Sequence, residues 1–271
     1  MNPENLRLYI SVGTLVIIIL WELISPKRKL TQLRRQRWTS NIAIIVISTL
    51  LVRVLLPVIA IDVAFLASEK QWGLLNQVEW SFWGEIIFAF VVLDFTIYWQ
   101  HYFFHKVPLL WRLHRVHHSD VDFDVTTGNR FHPIEILLSM GIKMGVVLLV
   151  GAPVLSVLFF EIVLNAVTLF NHGNINLPKP VDKVLRYLIV PPDMHRIHHS
   201  TIQKETDSNF SFNFPIWDHL FKTYCAEPKG GQAGMHIGLD DIREPKYSLS
   251  LWGMLKTPFL DFPAPSKDKT P

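Results

Sequence analysis

Histidines at helical spacing form the most informative pattern in this sequence. On a helix, positions i, i+3 and i+4 lie on one side, so each cluster of histidines would present its imidazoles together. The runs 114–119 and 195–200 read HRVHHS and HRIHHS and differ at one position only. Neutral imidazole ligates iron, zinc and copper, so the repeat predicts a metal site with two similar halves. The three clusters are His101-x₃-His105, His114-x₂-His117-His118 and His195-x₂-His198-His199.

Nine of the twelve histidines are predicted metal ligands. That number exceeds what one tetrahedral ion takes from a protein and suits two ions with four or five protein ligands each. His172 joins the set because Glu161 and Asn165 precede it on the same face of an apolar helix, which should therefore face the bundle interior. We expect His219 and His236 to lie at the surface. The predicted ligands are His101, His105, His114, His117, His118, His172, His195, His198 and His199.

Four further residues are candidate hydrogen-bond partners of these imidazoles: Asp94, His132, Glu161 and Asn165. A ligating imidazole usually donates its other N–H to a carboxylate or a carbonyl, which fixes its tautomer. The alternative for Asp94, Glu161 and Asn165 is polar packing inside a helix bundle. Asp94 could also form an ion pair with Arg53, which lies deep in the preceding apolar stretch. His132 could also be a ligand or an ordinary loop residue.

The composition indicates a membrane protein. The chain has 271 residues, of which 49% are hydrophobic, and its mean hydropathy is +0.25. Long uncharged runs together with such an average are typical of membrane spans. The single cysteine, Cys225, excludes a disulfide within the chain and disfavours thiolate-ligated haem, iron–sulfur clusters and cysteine zinc sites. The net charge of +3 decides little.

Five apolar stretches predict an all-α integral membrane bundle. Residues 8–24, 41–61 and 82–98 are three predicted spans, and 134–150 with 154–170 form an apolar hairpin that either spans or re-enters. Six cations between residues 27 and 37 predict a cytoplasmic loop, because cytoplasmic loops are enriched in Lys and Arg. A nucleic-acid patch is disfavoured, since this block lies between two apolar spans. If the chain runs outward from this loop, returns through the third span and then makes one hairpin, all nine histidines lie on the cytoplasmic side. There they would form a helical cap on the bundle.

The chain divides by these patterns into three segments. Residues 1–81 hold the N-terminal spans and the basic loop, residues 82–225 the histidines, and residues 226–271 a C-terminal cytoplasmic segment. Asp193 is a predicted N-cap of the helix that carries the last histidine cluster. The tail from residue 263 is rich in proline and lysine and is predicted to be disordered.

The order HxxxH, HxxHH, HxxHH in a multi-span chain resembles the fatty acid hydroxylase/sterol desaturase superfamily of membrane di-iron enzymes, and within it the bacterial sterol-desaturase-like proteins. The resemblance covers residues 85–225 and makes 82–225 a di-metal catalytic domain. His219 and Lys222 lie where arginine and glycine are more usual. The motifs that carry the resemblance, besides the histidine clusters, are Asp94-x₃-Tyr98, His172-x-Asn174, Pro192-Asp193-Met194, Asp207-x-Asn209-Phe210 and Trp217-Asp218.

The resemblance implies O₂-dependent hydroxylation or desaturation of a C–H bond in a fatty acyl chain, a sterol or an ether lipid. It implies two iron ions, with zinc as a possible substitute, and adds Asn174, Asp193 and Asn209 as hydrogen-bond partners of the ligands. Electrons would come from a separate ferredoxin- or cytochrome-type protein, because no haem-binding or flavin domain is recognisable in the sequence. The expected location is the bacterial inner membrane, with the active site on the cytoplasmic side and no nucleic-acid partner.

Three other functions remain open from the residues. A membrane zinc hydrolase would use the same imidazoles, since zinc and iron both accept them. A haem-type electron-transfer protein would need two axial histidines on facing helices within the membrane, whereas the clusters here lie in polar segments. A non-catalytic structural or sensor protein is the third, because family resemblance does not by itself establish activity.

Overall fold

The chain is all-helical in a computed structural model that describes residues 3–262. Within that range, β-pairing is limited to two isolated bridges, Pro26 with Ile175 and Ser200 with Ile237. The predicted all-α class is confirmed, whereas the tail predicted to be disordered, 263–271, lies outside the described residues. The helices are α1 Pro3–Ile24, α2 Arg34–Leu55, α3 Ala60–Glu69, α4 Phe82–Lys106, α5 Pro108–His118, α6 Pro133–Val150, α7 Val154–Asn171, α8 Lys179–Leu185, α9 Pro192–His198, α10 Gln203–Thr206, α11 Ile216–Leu220, α12 Gly231–Gly234, α13 Pro245–Ser248 and α14 Leu251–Lys256. Short 3-10 turns occupy Leu74–Gln77, Thr127–Asn129 and Thr257–Phe259.

Five helical segments among the described residues are long and apolar enough to cross a membrane. Their outward surface is apolar as well: Ile17 and Ile24 on α1 are 62% and 82% exposed, and Leu149 on α6 is 75% exposed. Such a continuous apolar surface fits lipid rather than water. Helices α6 and α7, at 18 residues each, are about 27 Å long, close to the ~30 Å hydrocarbon core. The five segments are Asn5–Ile24, Arg34–Gln77, Phe82–Lys106, Pro133–Val150 and Val154–Asn171.

The second span differs from its predicted bounds of 41–61. Helix α2 begins at Arg34 and ends at Leu55, and the chain resumes as α3 after Pro57, whose ring removes a backbone donor and restricts the residue before it. Arg34, Arg35 and Arg37 therefore belong to the first turn of α2 rather than to a loop. Arginine is a good helix former, so the basic residues extend the helix beyond the apolar stretch.

Helices α3, α4, α6 and α7 enclose the main apolar core, which includes Leu93, Phe90 and Phe160. Helix α1 packs along α7 through Ile18 and Leu169. The turn between α6 and α7 is made by Gly151, whose φ of +68° closes α6 in the left-handed conformation that glycine adopts without strain. This core holds α4, α6 and α7 in register, and these helices carry ligands or line the cavity described below.

Charged side chains from α1 and α2 anchor the loops that follow the second histidine cluster. Arg37 donates through Nε and Nη2 to both carboxylate oxygens of Asp120, at 2.8 Å each, and its Nη1 reaches Asp124. Glu22 accepts the backbone N–H of Val125 at 2.8 Å and that of Asn174 at 2.7 Å. Residues 113–133 are largely buried, and Arg37 and Glu22 supply partners for their charged and backbone groups.

Two predicted local contacts are wrong. Asp94 does not pair with Arg53: its Oδ2 accepts a hydrogen bond from Trp217 Nε1 at 2.7 Å, while Arg53 is exposed near the end of α2. Asp193 is not an N-cap but lies in the first turn of α9, where it accepts from Lys27 at 2.6 Å and also pairs with Arg196. In both cases a residue distant in sequence supplied the partner.

Candidate metal centre

Nine buried imidazoles converge into two adjoining groups, and they belong to the nine histidines predicted from the sequence. Within each group, one ligand atom per residue lies within 4.8 Å of every other. Each side chain is at most 9% exposed. The five-histidine group contains His101, His105, His114, His118 and His198, and the four-histidine group contains His117, His172, His195 and His199.

Each HRxHHS run contributes its middle histidine to the group that holds the two outer histidines of the other run. In α5, the residues at i and i+4 join the five-histidine group, whereas His117 joins the other. In α9 and the residue that follows it, the assignment is reversed, and His198 crosses to the five-histidine group. Positions i+3 and i+4 differ by about 100° around a helix, so one HxxHH run can serve two adjacent sites. The rings of His118 and His199 stack with centroids 4.5 Å apart where the groups meet.

Backbone carbonyls fix the tautomer of three of these imidazoles. His101 Nδ1 lies 2.7 Å from the carbonyl of Phe210, and His198 Nδ1 lies 2.7 Å from that of Ser208. His172 Nδ1 lies 2.9 Å from the carbonyl of Thr168. A carbonyl only accepts, so each Nδ1 carries the proton and each Nε2 presents a lone pair to the interior. That is the tautomer a metal ion requires.

A carboxylate orients a fourth imidazole, that of His114. His114 Nδ1 lies 2.6 Å from Oε1 of Glu135, and both side chains are buried. A metal-bound histidine that donates to a carboxylate is a more basic and better oriented ligand. Sequence reasoning missed Glu135; its one signal was an acidic residue directly inside an apolar helix, two positions after Pro133. His105 Nδ1 is 3.5 Å from Asp207 Oδ1, too far for a strong hydrogen bond.

The remaining ring nitrogens fit metal ions. The Nε2 atoms of His101 and His198 are buried without a hydrogen-bond partner among the described residues. Leaving such a group unsatisfied costs about 1–3 kcal/mol, which a bound cation would offset. The Nε2 atom of His172 lies 3.3 Å from that of His117 and 3.1 Å from that of His195. Two nitrogens at about 2.05 Å from one metal are about 2.9–3.4 Å apart for angles between a right angle and a tetrahedral one, so this spacing suits shared ligation.

Burial keeps these imidazoles neutral. It lowers the pKa of His114 and of His172 to about 3. Burial, together with the neighbouring imidazoles, lowers the pKa of His117, His195 and His199 well below the usual value. At neutral pH the rings are therefore uncharged, which is the form that binds a metal.

The other seven predicted site residues make their hydrogen bonds elsewhere. Within the described part of the chain, none of them hydrogen-bonds to one of the nine imidazoles. Asn174 bonds to the backbone of Arg28, and His132 Nε2 faces the carbonyl of Leu255 at 3.3 Å. Glu161 and Asn165 line a cavity described below. The seven are Asp94, His132, Glu161, Asn165, Asn174, Asp193 and Asn209.

Asn209 acts through the backbone. Its φ of +51° lies in the left-handed region, which aims the carbonyls on either side of it at His198 and His101. Its Nδ2 donates to the carbonyls of Met194 and Cys225 at 2.9 Å each. Asp218 accepts the N–H of Phe210 at 2.8 Å and that of Ser211 at 3.0 Å, so the same loop is held from its other side.

A cavity of about 370 Å³ leads from the centre into the helix bundle. His101, His114 and Glu135 line the end next to the imidazoles. Apolar side chains such as Met140 and Leu164 form its walls, and helices α1, α4, α6 and α7 contribute to it. This volume lies within the range of small-molecule sites, so the cavity could admit a single hydrocarbon chain.

Comparisons with known proteins point to lipid-oxidising enzymes. A family described as fatty acid hydroxylase matches residues 86–223, half of the chain. The chain is 29% identical over 160 residues to the ornithine lipid hydroxylase OlsE of Rhizobium tropici, which covers 59% of the chain and 47% of that protein. It is 28% identical over 144 residues to the alkylglycerol monooxygenase of Homo sapiens, covering 51% of the chain and 30% of that protein. It is 30% identical over 145 residues to methylsterol monooxygenase 2-2 of Arabidopsis thaliana, covering 52% of each.

The chain thus spans about half, or less, of the length of these relatives. No solved structure matches it. The matched segment contains all nine histidines of the two groups together with Glu135 and Asn209. The chain belongs to the fatty acid hydroxylase/sterol desaturase superfamily.

Proposed function

We propose that the protein is an O₂-dependent di-iron membrane oxidoreductase that hydroxylates or desaturates a C–H bond of a lipid. The observation that carries this proposal is the position of two groups of neutral, buried imidazoles at the end of a cavity between apolar helices. The relatives whose names describe lipid hydroxylases and monooxygenases support the same reaction class. A fatty acyl chain, a sterol and an ether lipid all fit this class of substrate.

Each histidine group would hold one iron ion. Bound iron would supply the redox chemistry that activates O₂. In a hydroxylation, one oxygen atom enters the C–H bond and the other leaves as water, which consumes two electrons and two protons from a donor. We propose that this donor is a separate ferredoxin- or cytochrome-type protein.

The chain's own residues orient the reactants. Glu135 and the carbonyls of Ser208 and Phe210 hold three ligand rings with their Nε2 atoms directed inward. The apolar walls of the cavity exclude water and keep a hydrocarbon chain extended towards the centre. His101 and His114 line both the cavity and the five-histidine group, so the substrate chain would arrive beside these two rings.

We propose that the centre lies at the cytoplasmic side of a bacterial inner membrane. The cations between α1 and α2 support that side, since Lys and Arg concentrate in cytoplasmic loops. Helix α4 runs back from the opposite side and delivers His101 and His105 at its end. Lys27 also contacts Asp193 beside the last histidine cluster, so the basic segment and the centre share one side of the bundle.

Metal analysis combined with O₂ uptake tests the proposal. The protein is purified in detergent, loaded anaerobically with ferrous iron and supplied with a reductant and a lipid extract. We expect about two irons per chain and O₂ consumption that depends on both the reductant and the lipid. Zinc-only protein that cleaves a lipid without O₂ would establish a hydrolase instead, and a Soret band with no O₂ consumption would establish a haem protein.

A further inference from the structure

We propose that Arg7 and Lys143, which both contact the carboxylate of Glu161, form a binding site for the carboxylate of a single-chain lipid, whose tail runs through the cavity to the metal centre. This inference rests on the proposed function, because it names the substrate class of the same site. The three side chains come from α1, α6 and α7 and line the cavity at the end away from the histidines.

The three charges do not cancel. Lys143 Nζ lies 2.5 Å from Oε1 of Glu161, and Arg7 contacts the other carboxylate oxygen. The side chains of Lys143 and Glu161 are 13% and 7% exposed, so two cations share one carboxylate in an apolar setting. Ionisable groups within spans are costly and generally face a partner or a pathway. These three side chains together leave one net positive charge, which a lipid carboxylate entering the cavity would neutralise; Arg7, 32% exposed, is the more accessible of the two cations.

The surroundings of the three residues also suit a polar terminus. Asn165 lies one turn after Glu161 on α7 and lines the same cavity, where the N–H groups of its side-chain amide could donate to a carboxylate. Gln100 and Ser139, which bond to each other at 2.9 Å, also line the cavity. The walls between these groups and the histidines are largely apolar. The cavity therefore has a charged end, an apolar middle and a metal-binding end.

Two helices set the distance between the charged end and the centre. On α6, Lys143 lies eight residues after Glu135, or about 12 Å along the axis at ~1.5 Å per residue. On α7, Glu161 lies eleven residues before His172, or about 16 Å. An extended chain advances roughly 1.2 Å per bond, so these distances correspond to about ten to thirteen bonds. The oxidised carbon would accordingly lie in the middle of a long acyl chain.

Equilibrium binding to the metal-free protein tests this site directly. The probes are hexadecanoate, methyl hexadecanoate and hexadecyl phosphate, titrated into detergent-purified protein. We expect hexadecanoate to bind at least tenfold more tightly than its uncharged ester. Equal affinity for the acid and the ester would overturn the site, and tighter binding of the phosphate would overturn its assignment to a carboxylate.

Variants separate charge recognition from folding. Lys143→Met should abolish the preference for the acid while leaving ester binding unchanged, and Lys143→Arg should keep it. Glu161→Gln removes the competing carboxylate and should tighten hexadecanoate binding, a gain that misfolding cannot imitate. Lys70→Met, at an exposed lysine just after α3 that does not line the cavity, is the matched control and should behave as wild type. Parallel loss of acid and ester binding in Lys143→Met, or weaker acid binding in Glu161→Gln, would overturn the proposal.

The result of the binding test does not depend on whether the protein has oxidase activity. Because binding is measured without iron, equal binding of acid and ester would leave the proposed oxygen chemistry untouched. Conversely, a protein that prefers the acid but never consumes O₂ would retain the site and lose the oxidase.

Discussion

The Glu135 carboxylate lies 2.6 Å from Nδ1 of His114, and both groups are shielded from water. Replacing a hydrogen-bond partner of a metal ligand typically costs 10–100-fold in metal affinity. We expect Glu135→Gln to weaken iron binding by about that factor, as measured by competition with a chelator of known affinity. Glu69→Gln, at an exposed carboxylate, should leave the affinity unchanged. Wild-type affinity in Glu135→Gln would mean that the carboxylate does not support a ligand.

Because the middle histidine of each run belongs to the other run's group, the iron content of double variants should depend on which group each substitution affects. His117 and His195 belong to one group, and His198 belongs to the other. We expect His117→Ala to reduce iron from about two per chain to about one, and His117→Ala with His195→Ala to lower it no further. His117→Ala with His198→Ala should remove both irons, because it damages both groups.

Elemental analysis and circular dichroism of the same preparations check this pattern. Helicity should persist, because the spans pack independently of the histidines. His236→Ala, at an exposed histidine, should retain both irons. Equal iron loss in the two double variants would contradict the division into two groups.

Gly128 packs directly against a ligand. A Cβ added at Gly128 would lie 3.1 Å from Cγ of His172 and 3.1 Å from the carbonyl of Thr168. The ring must shift, so we expect Gly128→Ala to lower the iron content of the four-histidine group and to cost about 1–3 kcal/mol in unfolding free energy. Metal analysis and thermal unfolding in detergent measure both effects.

Gly141→Ala is the matched control for that substitution. Gly141 lies within α6 and an added Cβ would meet nothing within 4 Å. Alanine is the better helix former, so this variant should keep its iron and unfold at the same or a higher temperature. Iron loss in Gly141→Ala as large as in Gly128→Ala would show that the effect is not local.

Arg37 stabilises the loop beneath the second histidine cluster. Burial alone would raise the pKa of Asp120, but Arg37 and Arg130 hold it well below its usual range. Removing one partner of a buried ion pair typically costs about 3–5 kcal/mol, so Arg37→Met should destabilise the protein by about that much. Thermal unfolding measures the loss, and Arg35→Met, at an exposed arginine in the same helical turn, should change it little. Comparable stability of the two variants would contradict the role of the buried pair.

The spacing of histidines was sufficient to select eight of the nine residues, because i, i+3 and i+4 already specify a shared helix face, and the polar face of the preceding apolar helix selected His172. Their division into five and four could not be predicted, since it depends on how α5 and α9 rotate against each other. Most of the groups that orient the rings could not be predicted from the sequence either. The carbonyls of Ser208, Phe210 and Thr168 belong to the backbone and leave no signature in residue type. Whether the histidines bind iron remains a prediction.

The start of α2 shows a second limit of predicting structure from local sequence patterns. Charge density indicated a loop between the first two spans, but Arg37 finds two carboxylates more than eighty residues away and is buried with them. Long-range pairing of this kind overrides local polarity. The same holds for Asp94, which accepts a hydrogen bond from Trp217 and does not pair with Arg53.

The crossing of His117 and His198 between groups has a consequence for the order of assembly. A nascent chain that has emerged only as far as the end of α7 carries five of the nine histidines, four of them from the five-histidine group and one from the other. Neither group is complete before α9 has emerged. The four-histidine group, which at the end of α7 still lacks three of its four imidazoles, must therefore wait for the C-terminal half, whereas the five-histidine group lacks only His198.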